Sequence, residues 1–116
     1  MRSCSLSILL CVTYFSVQVL RIVDGDTFEA KISIWPNQDV TTFVRVLGVD
    51  TPEVRGPHAV VGILAKDFTR QWISEPGISI HGCKFDSFGR LLGRVCRVGG
   101  ECLDDVLVRE GHGVRR

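Results

Sequence analysis

The stretch TFEAKISIW, residues 27–35, alternates strictly between apolar and polar side chains. Successive side chains of a β-strand point to opposite faces of the sheet, so this alternation predicts a half-buried strand. The side chains expected on the buried face are Phe28, Ala30, Ile32 and Ile34. Those expected to face water are Glu29, Lys31 and Ser33.

Strand-like sequence continues on both sides of this stretch. VQVLRIV, residues 17–23, is rich in β-branched residues and ends at the turn DGDT, residues 24–27. VTTFVRVLGV, residues 40–49, follows the turn sequence PNQD, residues 36–39. Because β-branched runs bounded by turn residues are typical of strands, we expect a three-stranded meander in the first half of the chain.

After Pro52 the apolar residues change their period. In AVVGILAKDFTRQWIS, residues 59–74, they recur at steps of three and four, as on one face of an amphipathic helix. The stripe predicted to pack on the core consists of Val61, Leu64, Ala65, Phe68 and Trp72. The sequence EPG that follows indicates the end of this helix.

Two further strands and a second helix complete the pattern. ISIHGCKF, residues 78–85, and RLLGRVCRV, residues 90–98, are typical of strands joined by a turn. LDDVLVREG, residues 103–111, predicts a short helix with Gly111 as its C-cap. The resulting order β-β-β-α-β-β-α is that of the five-stranded OB-fold barrel, so we expect a mainly β fold with packed helices.

Length and composition fit one small globular domain. The chain has 116 residues, of which 45% are hydrophobic and 23% are charged. Its formal net charge is +1, so no overall positive field indicates nucleic-acid binding. A local basic groove stays compatible with this balance.

The first sixteen residues, MRSCSLSILLCVTYFS, are expected to be a signal peptide or an N-terminal extension. They carry one early positive charge, Arg2, then a mostly apolar run to Phe15 and no acid. This arrangement resembles a secretory signal and is too short for a comfortable membrane span. An ordinary N-terminal strand is the alternative. We therefore assign residues 17–116 to the domain and expect a secreted or periplasmic protein without a stable membrane span.

The cysteines leave two states open. Cys96 and Cys102 flank the turn RVGGE and could face each other on a hairpin. An oxidising compartment would allow a disulfide there, and buried free thiols are the alternative. The scattered histidines and the cysteine spacings do not suggest a zinc site.

Three groups of polar residues fall in loops at strand ends, where a rigid sheet can hold side chains in fixed positions. They are residues 24–27, Arg45 with residues 50–53, and residues 86–90. Two aspartates and a carbonyl form a partial oxygen shell for a hard cation, and two arginines suit a phosphate. A remaining carboxylate can act as a general base on water. Each group alone is also explained as a turn, a helix cap or an exposed arginine, but together they are the parts of phosphodiester hydrolysis.

Four motifs occur in the order typical of one family. IVDGDT, VRVLGVDTPE, DSFGRLLGRV and LVREG together resemble the staphylococcal (micrococcal, thermonuclease-like) nuclease family, from about Val17 to Gly111. The resemblance implies an OB barrel with packed helices. It also implies Ca²⁺-dependent cleavage of DNA and/or RNA with little sequence preference, which leaves 3′-phosphate and 5′-hydroxyl ends.

The resemblance assigns the metal ligands and the base. It implies that Asp26 and Asp50 are the calcium carboxylates and that Thr51 contributes its backbone carbonyl. Glu53 matches the proposed general base of the family.

The resemblance also assigns the substrate contacts. Arg45 and Arg90 match the two arginines on the scissile phosphate. Phe88 stands where the family has a tyrosine, so it keeps an aromatic face for the substrate and loses a hydroxyl donor. The staphylococcal enzyme has a lysine at the position of Ser87.

A second function class is a catalytically weak or inactive OB-fold module that binds nucleic acid or protein. A pure binder has no reason to keep the three acids Asp26, Asp50 and Glu53 facing a polyanion, so they favour the enzyme. The short segment after LVREG favours the module. For either function we expect a monomer.

Overall fold

The structure is a computed structural model that describes residues 11–116. Within them eight strands and two helices form. The elements are β1 (Val12–Tyr14), β2 (Val17–Asp24), β3 (Thr27–Trp35), β4 (Gln38–Val46), β5 (Val49–Asp50), α1 (Ala59–Ile73), β6 (Ile78–Phe85), β7 (Leu91–Arg97), α2 (Leu103–Arg109) and β8 (Val114–Arg115). Neither helix of this part is long and apolar enough to cross a membrane.

Six strands form one sheet in the order β1-β6-β7-β4-β3-β2, and β5 pairs with β8 in a second, two-stranded sheet. All neighbours in the large sheet run antiparallel except β4 and β7, which run parallel. The five predicted strands and both helices therefore form in the predicted order, and a mainly β, OB-like fold is consistent with the sheet.

A five-stranded OB-fold barrel was predicted, whereas the structure has an open six-stranded sheet beside a two-stranded one. In the described part of the chain, β1 takes the edge of β6, with Val12 opposite Gly82 and Tyr14 opposite Ile80. The edge of β6 is thus paired with a strand that lies inside the first sixteen residues. Most of the predicted signal peptide, residues 1–10, lies outside the described residues, so its assignment stays a prediction.

The alternation of β3 sets the buried face of the sheet. Phe28, Ala30 and Ile32 are buried as predicted, together with Val44 and Val46 of β4. Ile34 was predicted on the same face but is 46% exposed. It lies beside a register shift between β3 and β4, next to a turn that is shorter than predicted, because β4 already begins at residue 38.

Helix α1 buries only part of the predicted stripe: Ala65 and Trp72 are buried, and Phe68 packs partly buried against the core. Val61 and Leu64 are 48% and 53% exposed, so their placement in the core was wrong. The buried residues are Gly62, Ala65, Thr69, Trp72 and Ile73. A Cβ on Gly62 would lie 1.9 Å from the backbone oxygen of Glu53, so only glycine allows this close approach. The small residues of α1 therefore pack on the loops that carry the predicted site residues, such as Glu53.

The segment after α2 is fixed by ion pairs. Asp104 is 3% exposed and binds Arg115 of β8 and Arg94 of β7. Burial alone would raise the pKa of Asp104, but the hydrogen bonds and charges of these two arginines outweigh it and lower the pKa. The carboxylate thus holds β8 beside β5, where Val114 pairs with Asp50.

One local prediction about this half of the chain is confirmed, and one question that the sequence left open is decided. Gly111 ends α2 as predicted, one position after the C-cap residue Glu110: it has a φ of 77°, and the N–H of His112 donates to the carbonyl of Leu107, as in a Schellman motif. Cys96 and Cys102 form a disulfide, so the free-thiol alternative was wrong for this pair.

Thr69 is the hydrogen-bond anchor of α1, since its buried hydroxyl donates to the Gly25 carbonyl at 2.7 Å. We expect Thr69→Val to lower the free energy of unfolding by about 1–3 kcal/mol, because the carbonyl would be buried without a donor. Urea denaturation measures this change. Thr41→Val on the exposed side of β4 is the control and should change it by less than about 0.5 kcal/mol. Equal losses in the two variants would contradict the anchor.

Candidate active site

Asp26 ties the turn between β2 and β3 to the loop after β5. Asp26 is 7% exposed, and its Oδ1 accepts a hydrogen bond from the Thr27 hydroxyl at 3.0 Å. Its Oδ2 accepts the backbone N–H of Thr51 at 2.9 Å. A Cβ at Gly25 would lie 2.9 Å from both the Ala65 Cβ and the Thr51 Oγ1, so α1 and this loop close directly on the turn. Three separate segments are thereby brought to one place.

Arg45 sits on the face of β4 opposite the core, with its side chain only 11% exposed. Its Nη1 donates to the carbonyls of Val46 and Val49 at 2.7 and 2.8 Å. Its Nη2 contacts the Asp50 carboxylate and lies 3.4 Å from Asp26 Oδ2. A buried guanidinium is costly unless it is paired, and here two carboxylates pair with it.

The two predicted metal carboxylates are therefore close together. A single nitrogen of Arg45 contacts both Asp26 and Asp50, so a cation in that position would reach both. Beside them the hydroxyl oxygen of Thr51 is buried without a hydrogen-bond partner in the described chain. Carboxylate, carbonyl and hydroxyl oxygens are the ligands that Ca²⁺ prefers, so these residues could hold such an ion.

A second acidic group does not offer a metal centre. Ligand atoms of Cys102, Asp104 and Asp105 lie within 4.8 Å of one another. Cys102, however, is in a disulfide, and both carboxylates are bound by Arg94 and Arg115. A metal would have to displace both arginines.

The tip between β6 and β7 orients Arg90. Asp86 Oδ1 accepts the backbone N–H groups of Phe88 and Arg90, both at 2.9 Å, and its Oδ2 accepts Arg90 Nε at 2.7 Å. Burial would raise the pKa of Asp86, but these hydrogen bonds and the Arg90 charge outweigh it and lower the pKa. The sequence assigned no role to Asp86, although an aspartate that bonds the backbone two residues ahead is a common turn signal.

Arg90 is held through its Nε, which leaves the two terminal nitrogens of its guanidinium open to a ligand. Its Nη1 and Nη2 make no hydrogen bond within residues 11–116. Its guanidinium carbon lies 5.5 Å from the centroid of the Phe88 ring. Phe88 is 83% exposed, so the ring presents an aromatic surface to water beside the guanidinium.

The predicted arginines share one groove, and the predicted base lies on another. Arg45, Phe88 and Arg90 line a groove of about 400 Å³. Glu53 is exposed and lines another groove of about 450 Å³, which also contains Arg55. The structure thus brings Arg45 to the two predicted metal carboxylates and Arg90 to the same groove as Arg45. Glu53 lines a different groove, so its role as the base stays a prediction.

Comparisons with known proteins agree with this OB-like class of domain. A sequence model of the family described as "Staphylococcal nuclease homologue" matches residues 43–115, more than half of the chain. The chain therefore belongs to the staphylococcal nuclease family.

Named relatives extend the similarity. The thermonuclease of Staphylococcus hyicus is 32% identical over 99 residues, which are 81% of this chain and 55% of that protein. The SPbeta prophage-derived endonuclease YokF of Bacillus subtilis (strain 168) is 33% identical over 97 residues, 78% of this chain and 31% of that protein. An uncharacterized endonuclease of Escherichia coli O157:H7 is 26% identical over 94 residues, 81% of this chain and 56% of that protein. The chain spans about half of these relatives' length or less.

The contact between Asp86 and Arg90 can be tested by titration. We expect the Asp86 carboxyl to titrate below its ordinary pKa of 3.8, and Arg90→Ala to raise that pKa, because the variant removes one hydrogen bond and one positive charge. Carboxyl-carbon NMR over the acid range measures both values. Arg70→Ala removes an exposed arginine that pairs with Asp67, and it should leave the Asp86 titration unchanged. An Asp86 pKa that ignores Arg90→Ala would contradict the arrangement.

Proposed function

We propose that this chain is a metal-dependent nuclease that hydrolyses phosphodiester bonds of DNA and/or RNA, with Ca²⁺ as its cation. The observation that carries the proposal is the position of Arg45. It shares a groove with Arg90, and its Nη2 contacts both Asp26 and Asp50. Phosphate-binding and cation-binding groups therefore meet at one side chain. Membership of the staphylococcal nuclease family supports the same chemistry.

Binding of the substrate phosphate falls to the two arginines. The Arg90 fork is free within the described chain and is oriented through Nε by Asp86. The Nη1 of Arg45 is fixed by two backbone carbonyls, which limits the positions of its planar fork. Guanidinium forks aimed at non-bridging oxygens stabilise the charge that grows there during attack on phosphorus.

Asp26, Asp50 and the Thr51 carbonyl would hold the cation. When bound, Ca²⁺ would supply positive charge to a phosphate oxygen and a site for water. Asp50 would then exchange its contact with Arg45 for the ion, which would leave the Arg45 Nη2 free to donate to the phosphate. Both carboxylates already contact the Arg45 Nη2, which supports an exchange confined to this group.

Glu53 would take the proton of the attacking water. It follows Thr51 by two residues. Gly62 of α1 packs closely on the Glu53 backbone, which limits where the Glu53 side chain can start. Its exposed carboxylate has access to water. The oxygen of that water would form the new bond to phosphorus, the P–O5′ bond would break, and the leaving 5′ oxygen would take a proton from solvent. The products would end in a 3′-phosphate and a 5′-hydroxyl.

We also propose that the protein is exported and acts as a monomer. The disulfide between Cys96 and Cys102 supports an oxidising compartment. The predicted boundary at residue 16 would remove β1 and uncover the edge of β6, so the site of cleavage matters for the sheet.

One observation favours the alternative of a binding module without efficient catalysis. Glu53 lines a different groove from Arg45 and Arg90. A module of this kind would bind nucleic acid in the arginine groove without turnover.

Replacement of Glu53 separates these two functions. With Ca²⁺ present, we expect the protein to hydrolyse single-stranded DNA, and Glu53→Gln to lower kcat by about a hundredfold to ten-thousandfold, because no other group takes the water's proton. Turnover of a fluorescent oligonucleotide measures both rates. Glu75→Gln, at an exposed glutamate paired with Arg97, should retain full activity. Cleavage that survives both Glu53→Gln and a chelator would exclude the proposed mechanism.

Calcium binding can be measured without turnover. We expect Asp50→Asn to weaken Ca²⁺ binding by about tenfold or more, because one of two negatively charged ligands is lost. Isothermal titration calorimetry of the protein with Ca²⁺ alone gives the affinity. Asp39→Asn, at a half-exposed aspartate on β4 that pairs with Lys31, is the matched control and should bind like the parent chain. Equal affinity in the Asp50 variant and the parent chain would remove Asp50 from the site.

A further inference from the structure

The arginine groove carries more positive charge than the two predicted arginines account for. Lys84 and Arg116 also line it. Among the described residues that form this groove, Asp86 is the single acid, and Arg90 already binds it. Two cations therefore remain beyond Arg45 and Arg90 in a groove proposed to bind a polyanion.

Lys84 has no ion-pair partner within residues 11–116. It is exposed near the end of β6, opposite Leu92 of β7, directly after an irregularity in the pairing of the two strands. An ammonium group without a carboxylate keeps its full charge for an anion that enters the groove.

Arg116 reaches the groove because β5 pairs with β8. Its backbone N–H donates to the Gly48 carbonyl at 3.1 Å, and Arg115 before it is bound by Asp104 and Asp105 at 2.6 and 2.7 Å. The backbone that carries Arg116 is thereby fixed at the rim of the groove.

The side chain of Arg116 is held only weakly. It is 66% exposed and has one carboxylate contact within the described chain, Asp50 Oδ1 at 3.0 Å. Asp50 is half-exposed and is also bound by Arg45. Exposed ion pairs of this kind contribute little free energy, so a phosphate can replace Asp50 as the partner of Arg116 at small cost.

We propose that Lys84 and Arg116 form a second phosphate subsite, which binds a phosphodiester group adjacent to the one between Arg45 and Arg90. The ligand class is single-stranded nucleic acid, because the exposed ring of Phe88 lies in the same groove and a cationic groove with an aromatic face is typical of single-strand binding. This subsite deepens the proposed nuclease function and rests on it.

The test measures binding without cleavage. Labelled oligothymidylate is titrated, with chelator present, into the Glu53→Gln chain and into the same chain with Lys84→Ala and Arg116→Ala. We expect about tenfold weaker binding or more for the double replacement at low salt, because two charge-assisted contacts are lost. The slope of log K against log salt should fall in magnitude by about 1.4, or 0.7 for each phosphate contact to a single strand.

A matched control removes the same charges elsewhere. Lys31→Ala with Arg109→Ala replaces one lysine and one arginine that are half-exposed and paired with acids outside the groove. We expect this control to keep the affinity and the salt slope. Melting temperatures of all variants show whether any loss of binding follows from unfolding, and Lys84→Arg with Arg116→Lys should restore the slope.

The outcomes separate the subsite from the function. If the parent chain cuts DNA but both double variants bind alike, the subsite is refuted and the nuclease stands. If the parent chain cuts no DNA, but the groove variant alone binds more weakly and with a smaller salt slope, the subsite is supported and the nuclease function is refuted. Absence of any binding by the Glu53→Gln chain refutes the subsite, whatever the parent chain cleaves.

Discussion

The guanidinium of Arg45 is the interaction on which the site depends. It is nearly buried, so its charge must be met inside the protein. Two backbone carbonyls and the carboxylates of Asp26 and Asp50 meet it, and these groups belong to β4, β5 and the turn before β3. The same side chain thus joins the segments that carry the predicted metal ligands. Loss of either carboxylate would leave Arg45 with less compensation, so stability and chemistry are coupled at this point.

The fold was predictable where a strand has one buried and one solvent-exposed face. It was not predictable where the close approach of two backbone segments determines the packing. The period of two in residues 27–35 placed β3 correctly because apolar area alone determines which face is buried. The same logic held only in part for α1, where Trp72 is buried but Val61 and Leu64 are exposed. Gly62 and Thr69 face inward. Gly62 allows the Glu53 backbone to approach closely, and the Thr69 hydroxyl donates to the Gly25 carbonyl. Hydrophobicity carries no signal for either contact.

The candidate site divides in the same way. The placement of two motifs at strand ends, and their resemblance to one family, predicted that Asp26, Arg45 and Asp50 belong together, and the structure brings them into contact. Glu53 belongs to the same motif but lines a different groove, and its backbone packs against Gly62 of α1. The contribution of Arg116 could not be seen in the sequence. It depends on a two-residue pairing between β5 and β8, which has no periodic pattern.

Asp50 shows how an acidic site can accept a polyanion. An uncompensated carboxylate would repel a phosphate, yet Asp50 is contacted by both Arg45 and Arg116. With Asp26, which also pairs with Arg45, the two carboxylates are balanced by the two guanidiniums before any ion binds. In the proposed reaction, a cation that binds Asp50 would free Arg45 and Arg116 from this carboxylate. A phosphate that binds the two guanidiniums would likewise free Asp50 to bind the cation. Each ligand would then favour the other through this one carboxylate, and the linkage between them must be reciprocal.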